Sequence, residues 1–134
     1  MKKLFALFVI TALSLLVSSA NAGEFEELGK KMSAARSSYT TMKSHKDQRG
    51  ADQQQLVKNT ADAVSAQLAK MKAPAGKEAQ FKELVETWKA FKETRERELV
   101  PALLEGNDEA AKKFTDIQRE RITRCLILSG ELDI

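Results

Sequence analysis

The spacing of apolar residues constrains this chain most strongly. In the first of four amphipathic segments, apolar side chains recur at alternating intervals of three and four residues: Phe25, Leu28, Met32, Ala35, Tyr39 and Met42. These intervals place all six side chains on one face of an α-helix, where a neighbouring helix can cover them. A half-buried strand would need apolar residues at every second position instead. The pattern therefore predicts a helix that packs along its length against other helices.

Three further segments repeat this pattern, with helices expected at approximately residues 24–47, 52–72, 77–104 and 108–132. Their apolar residues include Val57, Ala61, Val64, Leu68 and Met71, then Phe81, Leu84, Trp88 and Phe91, and finally Ala111, Phe114, Ile122, Cys125, Leu128 and Leu132. The joins are short and contain Gly50, Gly76 and the pair Gly106-Asn107. Short joins favour antiparallel neighbours. The sequence therefore predicts an all-α fold, an antiparallel up-down-up-down four-helix bundle.

The first 22 residues have the pattern of a secretory signal peptide. Lys2 and Lys3 precede an apolar run over residues 4–17, and Ala20-Asn21-Ala22 is a small-x-small cleavage site. We expect a mature domain over residues 23–134, located in the bacterial periplasm, with no stable membrane span after cleavage. A leader retained as an anchor is the alternative.

Cleavage also changes what the net charge indicates. The full chain of 134 residues carries 22 Lys and Arg against 19 Asp and Glu. Removing residues 1–22 leaves 112 residues and takes away two lysines, so that 20 basic side chains face 19 acidic ones. A nearly neutral domain gives no reason to expect a nucleic-acid partner.

Catalytic chemistry has few candidates in this sequence. The only histidine, His45, lies in a polar, cationic stretch near a turn, where we expect it to be exposed and without a function. The only cysteine, Cys125, falls on an apolar stripe and is expected to be a buried, inert thiol. The sequence therefore indicates a non-enzymatic protein, and we expect no bound cofactor.

Charged residues interrupt the apolar stripes in the second half of the chain. Arg95 and Glu98 interrupt the third stripe, just before Pro101, which predicts a kink or an end of the helix. Arg121 and Arg124 flank the fourth stripe. Three interpretations remain open for Arg95: it pairs with a glutamate and extends to the surface, it takes part in a dimer seam, or it lines a pocket between helices. In the third case, Arg95, Arg121 and Arg124 would bind a small carboxylate through their guanidinium groups.

Residues 86–110, together with Ile117-Gln118-Arg119-Glu120-Arg121, resemble the periplasmic four-helix-bundle sensor domain of methyl-accepting chemotaxis receptors. The likeness rests on an aromatic third helix that runs through Thr94-Arg95-Glu96 to Val100-Pro101-Ala102. It implies a module that binds a small ligand or a periplasmic protein partner at helix interfaces, commonly as a homodimer, with Arg95 and Arg121 as the ligand residues. No second apolar run follows the fourth segment before Ile134, so we expect a stand-alone, soluble relative.

A second resemblance is to the small periplasmic haem-b four-helix cytochromes, which have a methionine near the start of the first helix and a histidine near the end of the fourth. In this chain Met32 lies somewhat late for the first role, and Cys125 stands nearest the missing histidine. Met32 and Cys125 are the ligands that a haem or metal site would use in this alternative. Methionines at such positions more often fill the core.

Overall fold

The computed structural model describes residues 23–133, and these residues are all-helical, with no strand among them. The predicted signal peptide, residues 1–22, lies outside the described residues, as does Ile134. Helix α1 is Glu24–Ser44 and α2 is Ala51–Lys70, joined through a 3₁₀ turn at Lys46–Gln48. The third long segment consists of α3, Glu78–Thr94, a π-helical segment, Arg95–Leu99, and α4, Val100–Leu104; the fourth is α5, Asp108–Leu132. The prediction of an all-α fold with four long helical segments is confirmed.

The predicted apolar stripes form the core. All six stripe residues of α1 are buried, as are the five predicted for the second segment. One cluster of buried side chains contains Ala35, Phe91 and Cys125, and a second contains Tyr39 and Leu99. Burying each large apolar side chain contributes about 1.5–3 kcal/mol, so these stripes hold the helices together. Within residues 23–133, no helix is both long and apolar enough to cross a membrane.

The third segment does not end at Pro101, because the backbone widens before it. The N–H of Val100 donates to the carbonyl of Arg95, five residues earlier, which is the π-helical interval. Pro101 has no N–H to donate in this turn, and the helix continues past it to Leu104. The wider turn places Leu99 in the core and leaves Glu98 exposed. The prediction that Glu98 interrupts the buried stripe is therefore wrong, whereas the same prediction for Arg95 is confirmed.

The turn between α4 and α5 follows the sequence signals. Gly106 has a positive φ of 75°, a conformation that a side chain disfavours. The side-chain oxygen of Asn107 accepts a bond from the N–H of Ala110 and so caps α5. At the start of α2 the capping position is occupied by Gly50, without a side-chain bond.

Candidate functional site

Arg95 is a charged side chain that lies buried in the core. It is only 1% exposed. Its Nη2 donates to the carbonyl of Ala35 at 2.6 Å and to the hydroxyl of Ser38 at 3.1 Å. Its Nε and Nη1 are buried without a hydrogen-bond partner. Within residues 23–133, no carboxylate lies within ion-pair distance of its guanidinium. The expectation that Arg95 pairs with a glutamate and extends to the surface is therefore wrong.

Aromatic rings partly replace the water that this guanidinium has lost. The Cζ atom of Arg95 lies 5.5 Å from the ring centre of Tyr39 and 5.6 Å from that of Phe91, within the range of cation–π attraction. Burial lowers the pKa of Arg95 to about 10, with partial compensation by Tyr39 and Glu96. The side chain thus remains cationic at neutral pH. A buried charge with two unused donors is costly to keep, which makes Arg95 a candidate for binding an anion.

A cavity of about 230 Å³ lies beside Arg95 between α1, the third segment and α5. It is lined by Arg36, Tyr39, Thr40, Lys43, Ser44, Phe91, Arg95, Leu99, Thr115, Gln118, Arg119 and Ile122. Four of these residues are cationic, and none of the described lining residues is acidic. Several acidic residues adjoin the lining residues in sequence. Two of them have basic partners: Asp116 is paired with Arg119 at 3.4 Å and Glu96 with Lys92 at 2.9 Å. The electrostatic potential of this cavity therefore favours an anion.

Arg95 also borders a second cavity, on the side of α2. That cavity, of about 480 Å³, includes Lys58 and Glu96 among its lining residues. Because it carries both signs of charge, it offers no comparable attraction for an anion. The cavity of 230 Å³ is therefore the candidate site.

The structure does not bring the other two predicted arginines to this cavity. Nη1 of Arg121 donates to the carbonyl of Ala90 at 3.2 Å and to the hydroxyl of Thr94 at 2.7 Å. These contacts fasten α5 to the end of α3, just before the backbone widens. Arg124 is exposed and donates to both carboxylate oxygens of Glu83, with its Nη2 bond at 2.9 Å. Arg121 and Arg124 thus stabilise the pairing of α3 with α5 and do not line the cavity.

Several residues of the site were not predicted from the sequence. Arg36, Lys43 and Arg119 lie on exposed faces of α1 and α5, where basic residues are common and carry no signal. Gln118 is buried and donates to the carbonyl of Phe91 at 2.6 Å. Gln118 did carry a signal, since it falls on the apolar stripe of the fourth segment.

The residues of the haem or metal alternative are packed in the core. Met32 and Cys125 are fully buried, and the hydroxyl of Ser129 lies 3.8 Å from the Met32 sulfur. Burial raises the pKa of the Cys125 thiol to about 12, with a smaller contribution from Glu83. The prediction that Cys125 is a buried thiol is confirmed, as is the exposure of His45. Within residues 23–133, no three or more His, Cys, Asp or Glu side chains are grouped so that they could hold a metal ion.

Comparison with known proteins gives no match of this chain to a protein-family model, to a curated protein or to a solved structure. The geometry of the site is therefore the basis for a functional proposal.

Proposed function

We propose that this protein is a non-enzymatic, periplasmic four-helix-bundle binding module for a small carboxylate ligand, similar to the sensor domains of chemotaxis receptors. One observation carries the proposal: Arg95 is buried and cationic, lacks a carboxylate partner among the described residues, and lines a cavity whose other charged residues are all basic. A bound carboxylate would supply the missing negative charge and accept bonds from the unused donors.

The bonding of Arg95 specifies how a carboxylate would bind. Nη2 belongs to both edges of the guanidinium that can form two parallel bonds to a carboxylate. That nitrogen is already bonded to Ala35 and Ser38. We therefore expect single bonds from Nε or Nη1, unless the ligand displaces the Ser38 hydroxyl. The exposed cations Arg36 and Lys43 add long-range attraction at the mouth of the cavity.

The proposal includes the antiparallel up-down-up-down order of the four helices. Hydrogen bonds from Gln67 to the carbonyl of Glu24 and from Gln53 to that of Ser38 support opposite directions for α1 and α2. Bonds from Lys77 to the carbonyl of Glu131 and from Gln118 to that of Phe91 support opposite directions for α3 and α5.

Distances between spin labels test this order. Labels at Glu26 and Lys70 should lie closer together than labels at Glu26 and Asp52 by a large part of the length of α2, about 30 Å. Equal distances for the two pairs would contradict the antiparallel pairing of α1 with α2.

Thermal unfolding in the presence of carboxylates tests the binding function. A ligand present at about 100 times its Kd stabilises the fold by about 2.7 kcal/mol, which for a domain of this size raises the Tm by roughly 10 °C. We expect such a shift for at least one member of a panel of small mono- and dicarboxylates. The shift should vanish in Arg95→Met and persist in Arg124→Gln, whose arginine is exposed and lies away from the cavity. The absence of any shift across the panel would refute the binding function.

The periplasmic location has its own test. The predicted cleavage after Ala22 gives a chain that starts at Gly23, which intact-mass measurement of the exported protein detects. A mass that still includes residues 1–22 would instead support a retained leader.

A further inference from the structure

The walls of the cavity indicate what kind of carboxylate it takes. Resting on the function proposed above, we propose that the ligand is a small aromatic monocarboxylate without an amino group, with its ring packed on Tyr39, Phe91 and Ile122 and its carboxylate directed to Arg95. Three independent features of the cavity carry this inference: its apolar walls, the absence of an acidic lining residue among those described, and its size.

The apolar walls favour a ligand with a flat, apolar body. Tyr39, Phe91, Leu99 and Ile122 line the cavity together with the four cations. Because the rings of Tyr39 and Phe91 both lie about 5.5 Å from the guanidinium carbon, a ring placed between these walls would have its carboxylate near Arg95. A purely polar anion such as acetate would leave the walls without apolar contact. Burial of apolar ligand surface adds affinity at about 25 cal/mol per Å² before the costs of association.

The charges of the lining residues exclude a ligand ammonium group from favourable contact. Arg36, Lys43, Arg95 and Arg119 are all cations, and the remaining polar lining residues are hydroxyl and amide side chains. An α-amino acid would place its ammonium group among these cations without an ion-pair partner, which costs affinity. Thus a simple carboxylate should bind more tightly than the amino acid with the same ring.

The volume of the cavity limits the size of the ligand. About 230 Å³ is available in this cavity. This is below the range of about 300–1,000 Å³ that is usual for drug-sized ligands. One six-membered ring with a carboxylate is therefore a suitable size, and benzoate is the appropriate probe.

The Tyr39 side chain links two of the helices that line the cavity. Its hydroxyl lies 3.2 Å from that of Thr115, a contact that joins α1 to α5 across the cavity. Since Nε and Nη1 of Arg95 are buried, a ligand reaches them only when side chains around the guanidinium, such as Tyr39 or Phe91, move. Trp88 reports such a movement, because it is the only tryptophan and stacks on Phe91 with 5.0 Å between ring centres.

A matched series of probes on the wild-type chain tests the inference. Benzoate carries both ring and charge, acetate only the charge, benzyl alcohol only the ring, and phenylalanine adds an ammonium group. Binding is measured by Trp88 fluorescence and by calorimetry. We expect benzoate to bind at least tenfold more tightly than each of the other three, which corresponds to about 1.4 kcal/mol. Arg95→Met should abolish benzoate binding, and Arg124→Gln should leave it unchanged.

The outcomes separate the two proposals. If acetate binds as tightly as benzoate and Arg95→Met removes both, the anion site stands and the aromatic preference is refuted. If benzyl alcohol or phenylalanine equals benzoate, the ligand class assigned to the cavity is refuted. If none of the four probes binds but other small carboxylates raise the Tm, the inference fails alone. If no carboxylate binds, the proposed function fails with it.

Discussion

Replacing Arg95 with methionine removes the buried charge while a long side chain still fills the core. Relief of two unpartnered donors favours the variant by about 1–3 kcal/mol each. Loss of the bonds to Ala35 and Ser38 opposes it by about 1.5–3 kcal/mol each. Burial of the methionine side chain contributes about 2 kcal/mol, and loss of the two ring contacts takes away roughly the same amount. These contributions nearly cancel, so the free energy of unfolding should change by less than about 2 kcal/mol.

The groups left behind by this substitution keep their partners. The hydroxyl of Ser38 donates to the carbonyl of Ala35 at 2.8 Å and lies 3.0 Å from the hydroxyl of Thr60. Neither Ala35 nor Ser38 thus becomes an unsatisfied buried group when Arg95 is removed. The small expected change in stability depends on this local compensation.

Urea unfolding, followed by circular dichroism and Trp88 fluorescence, measures the effect. Arg95→Ala serves as the comparison, because it also removes the charge but leaves a void, and we expect it to lose about 2–5 kcal/mol. A loss of more than about 3 kcal/mol in Arg95→Met would mean that the native fold depends on the charge. Losses of that size are typical when one partner of a buried ion pair is removed. Such a loss would refute the view that Arg95 serves binding and does not stabilise the native fold.

Three further predictions concern the core and the surface. Leu128→Ala should lower the free energy of unfolding by about 2.7–5 kcal/mol, because Leu128 is fully buried. Ile127→Ala should change it by less than about 0.5 kcal/mol, because that side chain is 49% exposed. Equal losses of the two variants in urea unfolding would contradict the assigned helix face. Since burial raises the pKa of Cys125 to about 12, a thiol reagent at mildly alkaline pH should label the unfolded chain rapidly and the native chain hardly at all, and rapid native labelling would show an open thiol. The pKa of Asp62 is lowered, chiefly by a hydrogen bond from Lys58. The ionised carboxylate of Asp62 therefore stabilises the fold above the ordinary carboxyl pKa, and this stability is lost as the pH falls through the lowered pKa. Asp62→Asn should lower the free energy of unfolding by less than about 1 kcal/mol near neutral pH, because the pair is largely exposed, and a loss that grows towards acid pH would contradict this sign.

The sequence was most informative about the helix faces. Interval patterns depend only on the period of the α-helix, and every stripe residue predicted for α1 and α2 is buried. The same reasoning failed at Glu98, because it assumes that the period never changes. A five-residue interval in the backbone, next to a proline, shifts the buried position to Leu99. Pro101 indicated that the helix would be irregular nearby, but not that the irregularity would be a π-helical segment.

The candidate site could be predicted only where its residues interrupt a stripe. Arg95 did so, and Gln118 stood at an ambiguous position of the fourth stripe. Arg36 and Lys43 lie on the exposed side of α1, and their approach to Arg95 depends on how α1 is rotated against the third segment. The apolar intervals within one helix do not specify how that helix is rotated against its neighbour. For the same reason they could not show that Arg121 bonds to the backbone of α3 instead.

The π-helical segment has an electrostatic consequence. In a regular α-helix, residues three apart share a face and oppositely charged side chains at that interval attract each other. Glu98 stands three residues after Arg95, so in an uninterrupted α-helix the two side chains would lie on one face and their charges would attract each other. The widened turn leaves Glu98 in solvent and Arg95 in the interior. The backbone thus separates Arg95 from the carboxylate of Glu98, and the positive charge of the interior remains available to an anion from outside the chain.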